Sequence, residues 1–208
     1  VAATGTLVLV GTERDSGSEL YLVDVSNPSS PVIKNTLEIG ADINRISILG
    51  NRAFLATSSS TKEFIVVNIS NPTNPVISAS ADLPGTNAAK GLYVNTQDQR
   101  AYITRDLASG VSPELNAYDV TNPDVPTLLG STEFTYDIPS VFAADTLLFL
   151  STAQSNMEFQ LFNATNTQQI AYVAGFNFPQ VGNDIAFESN FIYIAVRSND
   201  ALRILTSQ

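Results

Sequence analysis

The stretch YLVDVSNPSSPV, residues 21–32, decides the fold because the chain repeats it. Each copy is an apolar strand followed by Asp or Asn, a Ser/Thr-Asn-Pro turn and a second proline. The pattern returns as FIVVNISNPTNPV at 64–76 and as NAYDVTNPDVPT at 116–127. The copy FQLFNATNTQQIA at 159–171 has lost both prolines, and ALRILTSQ at 201–208 matches only the strand part. Internal repetition of this kind predicts a repeat architecture before any residue is given a role.

The turn asparagines Asn27, Asn71, Asn122 and Asn166 are spaced by 44, 51 and 44 residues. Each period contains four strand signals, clearest in the second, where a Gly50–Asn51 turn separates INRISIL from RAFLAT. Such a short polar turn between β-branched and aromatic runs is typical of a hairpin. Because no segment has helical apolar spacing, the sequence predicts an all-β protein.

Five repeats of about 44 residues and four strands each predict a single domain, 1–208, folded as a five-bladed β-propeller. The predicted repeats are approximately 1–40, 41–85, 86–135, 136–180 and 181–208. The first repeat is expected to begin at its second strand, TLVLVGT, and the last to end at its third. We therefore expect 18 strands and a closed ring with an incomplete junction blade. An open arc or a piece of a larger propeller is the alternative, which holds if the first and fifth repeats fail to pack.

Composition excludes several kinds of site. The 208 residues contain neither His nor Cys, so Ser-His-Asp and Cys-His arrangements and the usual zinc sites cannot be built. A net charge of −10 argues against binding to nucleic acid or to an anionic membrane. No run of 18 apolar residues exists, so we expect no direct membrane insertion by this segment. Because the chain starts with Val, we expect it to be a processed or trimmed piece.

The tandem pattern resembles the LVIVD repeat, which is found in bacterial and archaeal surface proteins and is associated with β-propellers. The resemblance covers nearly the whole chain and is closest in the first three repeats. It implies an extracellular or cell-surface module for binding, adhesion or surface assembly, with a protein or glycan partner. It does not name a ligand.

Alternating strand direction sorts the loops of each repeat onto two faces of the domain. The face that carries the Asn-Pro turns, called here the turn face, is short and stiff. Asn68 and Asn163 match the glycosylation pattern but occupy the place of Asp24 and Asp119, so we assign them to the turns. The residues predicted to have a structural turn role are Asp24, Asn27, Pro28, Asn71, Pro72, Asn122 and Pro123.

The opposite face, called here the loop face, carries the longer and more variable segments, at 12–19, 57–63, 104–114, 152–158 and 197–200. A glutamate stands before each third strand: Glu19, Glu63, Glu114 and Glu158. Oxygen ligands repeated in this way are a possible calcium site, the only cofactor that we consider. The favoured alternative is that each carboxylate binds a backbone NH within its own blade.

A second polar set lies where the first strands begin, nearer the predicted axis. These residues form the predicted ligand site for a polyol or cation: Asp42, Asn44, Asn87, Tyr136, Asp137, Asn183 and Asp184. Tyr136 is the aromatic side chain expected to contact a bound sugar.

Three functions remain open. We favour a non-catalytic surface module, because His and Cys are absent and length variation is confined to one set of loops. The alternative is a lectin-like or cation-dependent binder that uses the axial residues. A glycoside-acting enzyme using Asp42, Asp137 and Asp184 is favoured least. Hydrolysis needs two carboxyl groups in different environments, whereas equivalent repeat positions predict equivalent environments.

Overall fold

A computed structural model describes residues 1–85, 87–107, 112–198 and 201–206. Parts of two predicted loops, at 108–111 and 199–200, lie outside the described residues. Within the described ranges the chain forms 19 strands and no helix. The strands make five separate antiparallel sheets of four, four, four, four and three strands. The all-β, five-bladed prediction is confirmed.

Each sheet, called here a blade, is a meander in which consecutive strands are neighbours. The strands of the five blades in chain order are β1 Ala2–Thr4, β2 Leu7–Gly11, β3 Leu20–Asp24 and β4 Val32–Leu37; β5 Ile43–Leu49, β6 Arg52–Thr57, β7 Phe64–Asn68 and β8 Val76–Ala81; β9 Ala89–Asn95, β10 Arg100–Arg105, β11 Leu115–Asp119 and β12 Thr127–Thr132; β13 Ser140–Ala144, β14 Leu147–Ser151, β15 Phe159–Asn163 and β16 Ala171–Phe176; β17 Gly182–Glu188, β18 Phe191–Val196 and β19 Leu202–Thr206.

The first blade corrects one prediction, because it has four strands and does not begin at its second. Ala2–Thr4 pairs with β2 in the register Thr4 to Leu7, which leaves a two-residue hairpin. Gly5 takes a φ of 56° there, a conformation that glycine adopts without steric cost. Three small residues carry little apolar signal, so the sequence pattern did not predict this strand. The last blade has three strands, as expected.

The turn face is built by side-chain oxygens that accept hydrogen bonds from the backbone two residues further on. Asp24 accepts from the Ser26 NH at 2.8 Å, and Asn68 accepts from the Ser70 NH at 3.0 Å. The following Asn-Pro pair forms a β-turn in which the Asn27 carbonyl accepts from the Ser30 NH at 2.9 Å. The same bond recurs from the NH groups of Asn74, Val125 and Gln169 to the carbonyls of Asn71, Asn122 and Asn166. The predicted turn residues therefore lie in these turns.

Neighbouring blades stack through apolar cores. Leu9 and Leu22 of blade 1 pack with Leu55 of blade 2, and Phe64 packs with Ile103 of blade 3. The clusters between blades 3 and 4 and between blades 4 and 5 are built in the same way. Residues of one strand alternate between the two neighbours, so each inner blade is buried on both faces.

The first strands of the blades surround a central channel, whose lining includes Ala2, Ser47, Tyr93, Phe142 and Ala186. Extensive packing joins each consecutive pair of blades, and none of comparable extent joins blade 1 to blade 5 in the part of the chain that the structure describes. Strand β1 belongs to blade 1 and does not complete blade 5. The five blades therefore form an open arc, the alternative to the expected closed ring.

Candidate functional site

The channel opens on the loop face into a cavity of about 440 Å³, called here the axial mouth. Its position follows from the fold, because the segments that precede the first strands of the blades converge around the axis. The lining residues are Asn44, Arg45, Lys90, Asp106, Asp137, Pro139, Ala153, Val181, Asn183 and Arg197. Three of the seven predicted ligand residues, Asn44, Asp137 and Asn183, are among them.

An ion pair crosses the base of the axial mouth. The Arg45 guanidinium donates two hydrogen bonds, of 3.0 and 2.9 Å, to the two carboxylate oxygens of Asp184. The Ser140 hydroxyl donates to the same carboxylate at 2.9 Å. Arg45 lines both the mouth and the channel, whereas Asp184 lines the channel. The pair therefore links blade 2 to blade 5 at the boundary between the two spaces.

The structure places Asp184 at a different repeat position from Asp42 and Asp137. Asp184 pairs with Ala195 just as Arg45 pairs with Ala56, and both strands carry a β-bulge beside this pair. The position of Asp42 and Asp137 is taken in blade 5 by Val181, whose carbonyl accepts the equivalent backbone bond. Asp184 stands three residues after Val181, just as Arg45 stands three residues after Asp42, and the bulge is common to both strands. The predicted ring of equivalent acids was therefore wrong for Asp184, which occupies the repeat position of Arg45.

The other two acids hold loops. Asp42 accepts the Arg14 NH at 2.8 Å, and this bond is the main cause that lowers the pKa of Asp42. Asp137 accepts the Leu107 NH at 2.7 Å. These equivalent bonds tie each loop after a second strand to the next blade.

The three asparagines divide between the axial mouth and its support. The Asn44 amide donates to the Ala89 carbonyl at 2.7 Å, which fixes it against blade 3. Asn183 is exposed on the mouth lining. Asn87 does not line the mouth; its amide donates to the carbonyls of Asp106 and Leu107 at 3.2 and 3.3 Å.

Tyr136 does not lie at the axial mouth, contrary to the prediction. Its ring packs at 5.3 Å from that of Phe134, on the core between blades 3 and 4. Its hydroxyl donates to Gln160 at 3.0 Å, and burial raises the pKa of Tyr136. The sequence places Tyr136 in a loop next to Asp137, and nothing in that context indicates that its ring packs in the apolar core.

The four repeated glutamates are buried and bind backbone NH groups of their own blades. Glu63, Glu114 and Glu158 accept the NH groups of Leu83, Phe134 and Phe178 at 3.1, 2.6 and 2.7 Å, and Glu19 accepts those of Ile39 and Gly40 at 2.8 and 3.1 Å. Each bond anchors the segment that leaves the fourth strand. Across the described ranges no group of three or more acidic residues is placed to hold a metal ion. The geometry is that of the favoured alternative, and calcium binding stays a prediction.

Arg105 is a fully buried charge on the loop face that was not predicted from the sequence. Its Nε donates to the Pro113 carbonyl at 3.1 Å, and its terminal nitrogens donate to the carbonyls of Asn87 and Pro84. Threonine occupies the equivalent position in blades 1, 2 and 4, and Thr57 and Thr152 donate to the matching carbonyls of Lys62 and Met157. Burial lowers the pKa of Arg105, an effect that the charges of Glu63 and Glu114 oppose. The replacement of the repeated Thr by Arg at this position was the sequence signal that could have identified Arg105.

The basic side chains of the axial mouth were also missed. Lys90 forms an ion pair of 3.3 Å with Asp106, and Arg45 is held by Asp184. Arg197 is exposed on the lining, and no ion pair involves it among the residues that the structure describes. These residues come from blades 2, 3 and 5 and lie close together only in the assembled fold, so no local motif in the sequence indicates the group.

Five stacked antiparallel sheets around one channel define a β-propeller built from a repeated four-stranded unit. The sequence model of the LVIVD repeat matches residues 14–38 and 40–82, which cover part of blade 1 and almost all of blade 2. The resemblance based on the Asn-Pro turns is confirmed there. A comparison with curated protein sequences finds no match.

Solved structures share the fold at low sequence identity. The periplasmic gluconolactonase of Pseudomonas aeruginosa is 13% identical with a TM-score of 0.77, covering 98% of this chain and 64% of that one. A putative 6-phosphogluconolactonase from Bacteroides fragilis is 10% identical, with a TM-score of 0.76 over 100% and 65% of the two chains. The β-propeller domain of Cps50 (Swd1) from Myceliophteria thermophila is 11% identical, with a TM-score of 0.68 over 91% and 63%. The chain thus spans less than two thirds of the length of each. At these identities the likeness shows the fold alone.

Proposed function

We propose that this propeller is a non-catalytic binding module of the cell surface, and that its axial mouth binds an acidic sugar unit of a glycan. The observation that carries the proposal is the arrangement of charge at the mouth. Three of the ten basic residues, Arg45, Lys90 and Arg197, line this cavity together with the acids Asp106 and Asp137. Arg45 and Lys90 are paired with Asp184 and Asp106, whereas no ion pair involves the exposed Arg197 among the described residues, which favours an anionic group of the ligand beside Arg197.

The other lining groups suit hydroxyl groups. Asn44 and Asn183 present amides, which can donate and accept, and Asp137 presents a carboxylate that accepts. A ligand with one carboxylate and several hydroxyls would match this set, with the carboxylate near Arg197. The cavity volume of about 440 Å³ lies within the range of roughly 300–1,000 Å³ common for small-molecule sites.

The acids near the mouth support binding more than catalysis. Asp184 receives two bonds from Arg45, Asp106 faces Lys90, and Asp137 accepts a backbone NH. Each of these carboxylates is thus already engaged by a basic side chain or a backbone NH of the protein, whereas glycoside hydrolysis needs two carboxyl groups that face the scissile bond. The chain also lacks His, the commonest acid–base residue.

Calorimetric titration with D-glucuronate, D-galacturonate and uncharged D-glucose tests the proposal. We expect the uronates to bind and glucose to bind at least tenfold more weakly. Lys90→Ala should weaken uronate binding about tenfold, because a charge-assisted hydrogen bond contributes about 1.5–3 kcal/mol.

Lys34→Ala is the matched control, since Lys34 also forms an exposed ion pair, with Asp24 at 2.9 Å, but lies on an outer strand. Equal affinity for glucose and uronate, or an equal loss of affinity in both variants, would contradict the site.

Two of the similar folds are named as lactonases, so gluconolactone is tested as a substrate. Its hydrolysis, abolished by Asp184→Asn, would contradict the non-catalytic assignment.

The surface location is a separate part of the proposal. It is supported by the match to the LVIVD repeat, a repeat found in bacterial and archaeal surface proteins. Among the described residues no helix is long and apolar enough to cross a membrane. Protease treatment of intact cells tests the location. We expect digestion without lysis, and protection until lysis would contradict it.

A further inference from the structure

The channel ends on the turn face in a second cavity, of about 250 Å³, called here the aromatic end. It lies between the first strands of blades 3, 4 and 5, and the hairpins that follow the first strands of blades 3 and 4 form its rim. Its lining includes Tyr93, Phe142 and Phe187 of the strands and Gln97 and Asp145 of the hairpins. None of these five residues lines the axial mouth, so the two cavities are separate.

The aromatic end coincides with a break in the repeat. At the third residue pair from the hairpin, the first strand of every blade places one side chain on the channel. In chain order these side chains are Ala2, Ser47, Tyr93, Phe142 and Ala186. Three blades thus carry a small residue at this position, whereas the neighbouring blades 3 and 4 carry aromatic rings. Small side chains beside the rings leave open space in front of them.

The aromatic side chains form a continuous wall across three blades. The ring centroids of Tyr93 and Phe142 are 4.3 Å apart, and those of Phe142 and Phe187 are 5.8 Å apart. All three side chains are half-buried, so part of each ring faces the cavity. Within the described ranges the Tyr93 hydroxyl makes no hydrogen bond to another residue, and burial alone raises the pKa of Tyr93. This hydroxyl is therefore available to a ligand.

The rim of the aromatic end is polar and held in place. Asn95 is only 3% exposed, and its side-chain amide donates to the Asp145 carbonyl at 3.1 Å while its oxygen accepts the Gln97 NH at 3.0 Å. One buried side chain thus joins the hairpins of blades 3 and 4. The side chains of Gln97 and Asp145 are exposed beside the cavity, where an amide and a carboxylate can bond hydroxyl groups.

We propose that the aromatic end is a second ligand site, which binds an uncharged 6-deoxyhexose unit of a glycan. A pyranose ring has an apolar face of C–H groups that packs on an aromatic ring, and hydroxyls that the rim and the Tyr93 hydroxyl can bond. A methyl group suits contact with Phe142 and Phe187, because a hydroxyl directed at these two rings would lose its hydrogen bonds to water without a protein partner.

Charge distinguishes this site from the axial mouth. No cationic side chain is among the described residues that line the aromatic end, which favours an uncharged sugar over an acidic one. The site does not rest on the function proposed for the axial mouth, because it is built from other residues at the opposite end of the channel.

NMR titration with two matched pairs of sugars tests the proposal. L-Fucose differs from L-galactose, and L-rhamnose from L-mannose, only by lacking the 6-hydroxyl group. We expect saturable shifts of the Tyr93 and Phe142 signals, with at least one deoxysugar binding about tenfold more tightly than its hydroxylated partner. Tyr93→Ser and Phe142→Ala introduce the residues that blades 2 and 5 carry at this repeat position, and each should weaken binding at least tenfold.

Tyr172→Ser is the matched control, since Tyr172 is a 52% exposed aromatic residue on an outer strand of blade 4. Gln97→Ala changes only an exposed rim side chain and should weaken binding about threefold, so it decides the matter if the channel variants unfold. Glucuronate added to a separate sample reports on the axial mouth through Asn44 and Asn183, so the failure of one site is distinguishable from the failure of the other.

An absence of saturable shifts with either deoxysugar, or equal binding of both members of each pair, would overturn the proposal. So would an equal loss of affinity in Tyr172→Ser and Tyr93→Ser. Shifts at the aromatic end with N-acetylphenylalanine amide and with no deoxysugar would assign the cavity to a peptide side chain and would likewise overturn the sugar site.

Discussion

At the scale of single residues, the position at the end of each third strand shows whether the turn needs a negative charge or only a hydrogen-bond acceptor. Asp24 and Asp119 accept the NH two residues further on at 2.8 Å, and Asn68 and Asn163 do the same at 3.0 and 2.9 Å. The position therefore requires a short side chain with an acceptor, and the amide serves as well as the carboxylate. This equivalence was readable from the repeat and explains why two glycosylation patterns fall here.

Asp24→Asn should keep the turn and change only its response to acid. The backbone NH of Ser26 and the ammonium of Lys34 lower the pKa of Asp24 to about 2, below its ordinary 3.8. The ionised group therefore stabilises the fold above about pH 4, and this contribution is lost as the pH falls towards 2. We expect the Asn variant to melt near the unaltered temperature at pH 7 and to lose less stability between pH 4 and 2.

Asp24→Ala is the control, because it removes the acceptor and should melt lower at both pH values. Thermal melts followed by circular dichroism give the comparison. An Asn variant as unstable as the Ala variant at pH 7 would show that the charge, and not the acceptor, holds the turn.

Arg105→Met should destabilise the fold strongly. The change removes the donor to the carbonyls of Asn87 and Pro84 and one of two donors to the carbonyl of Pro113. It also removes the positive charge near Glu63 and Glu114. We expect the free energy of unfolding to fall by about 3 kcal/mol, since a buried acceptor without a partner costs about 1–3 kcal/mol. Urea unfolding measures it.

Arg100→Met is the matched control on the same strand, where the arginine is only partly buried and makes an ion pair of 3.5 Å. The free energy of unfolding of this variant should fall by less than about 1 kcal/mol. Equal losses at positions 100 and 105 would contradict the buried role of Arg105.

Among single residues, prediction from sequence failed where a side chain left its repeat position. Asp184 occupies the repeat position of Arg45, three residues beyond that of Asp42 and Asp137, and the ring of Tyr136 packs in the apolar core. Neither placement changes the apolar alternation that a sequence shows.

At the scale of elements, the unit of this fold is a blade whose outgoing segment is fixed by one glutamate. Spacings of 44, 51 and 44 residues identified the four glutamates, and their bonds to the next segment explain the regularity. Strand order, hairpin positions and the Asn-Pro turns were likewise predictable, because each rests on local residue types. Strand β1 was not, because three small residues form a strand only when β2 offers its edge.

Glu158→Ala should loosen the junction between blades 4 and 5. Glu158 accepts the NH groups of Phe178 and Asn156 at 2.7 and 3.2 Å, and alanine leaves the buried Phe178 NH without an acceptor. We expect a loss of about 2 kcal/mol in urea unfolding.

Glu158→Gln keeps one acceptor oxygen, so its free energy of unfolding should fall by less than half as much as that of Glu158→Ala. If both variants lose the same amount, the carboxylate does not act through the Phe178 NH.

At the scale of the whole molecule, the sequence could count the blades but could not show whether they close. The rotation from one blade to the next depends on how the apolar cores interdigitate, and the repeat pattern does not encode that angle. The same limit applies to the axial mouth. Its cations come from blades 2, 3 and 5 and share no sequence neighbourhood, so only the assembled arc reveals them.

Amide shift mapping by NMR, during titration with D-glucuronate at low salt, tests most directly whether the axial mouth is the functional site. We predict saturable shifts at Asn44, Lys90 and Asn183, none at the turn residues Asn27 and Asn71, and weaker binding as salt screens the mouth. Shifts concentrated on the turn face, or no saturable shift at millimolar ligand, would contradict the account.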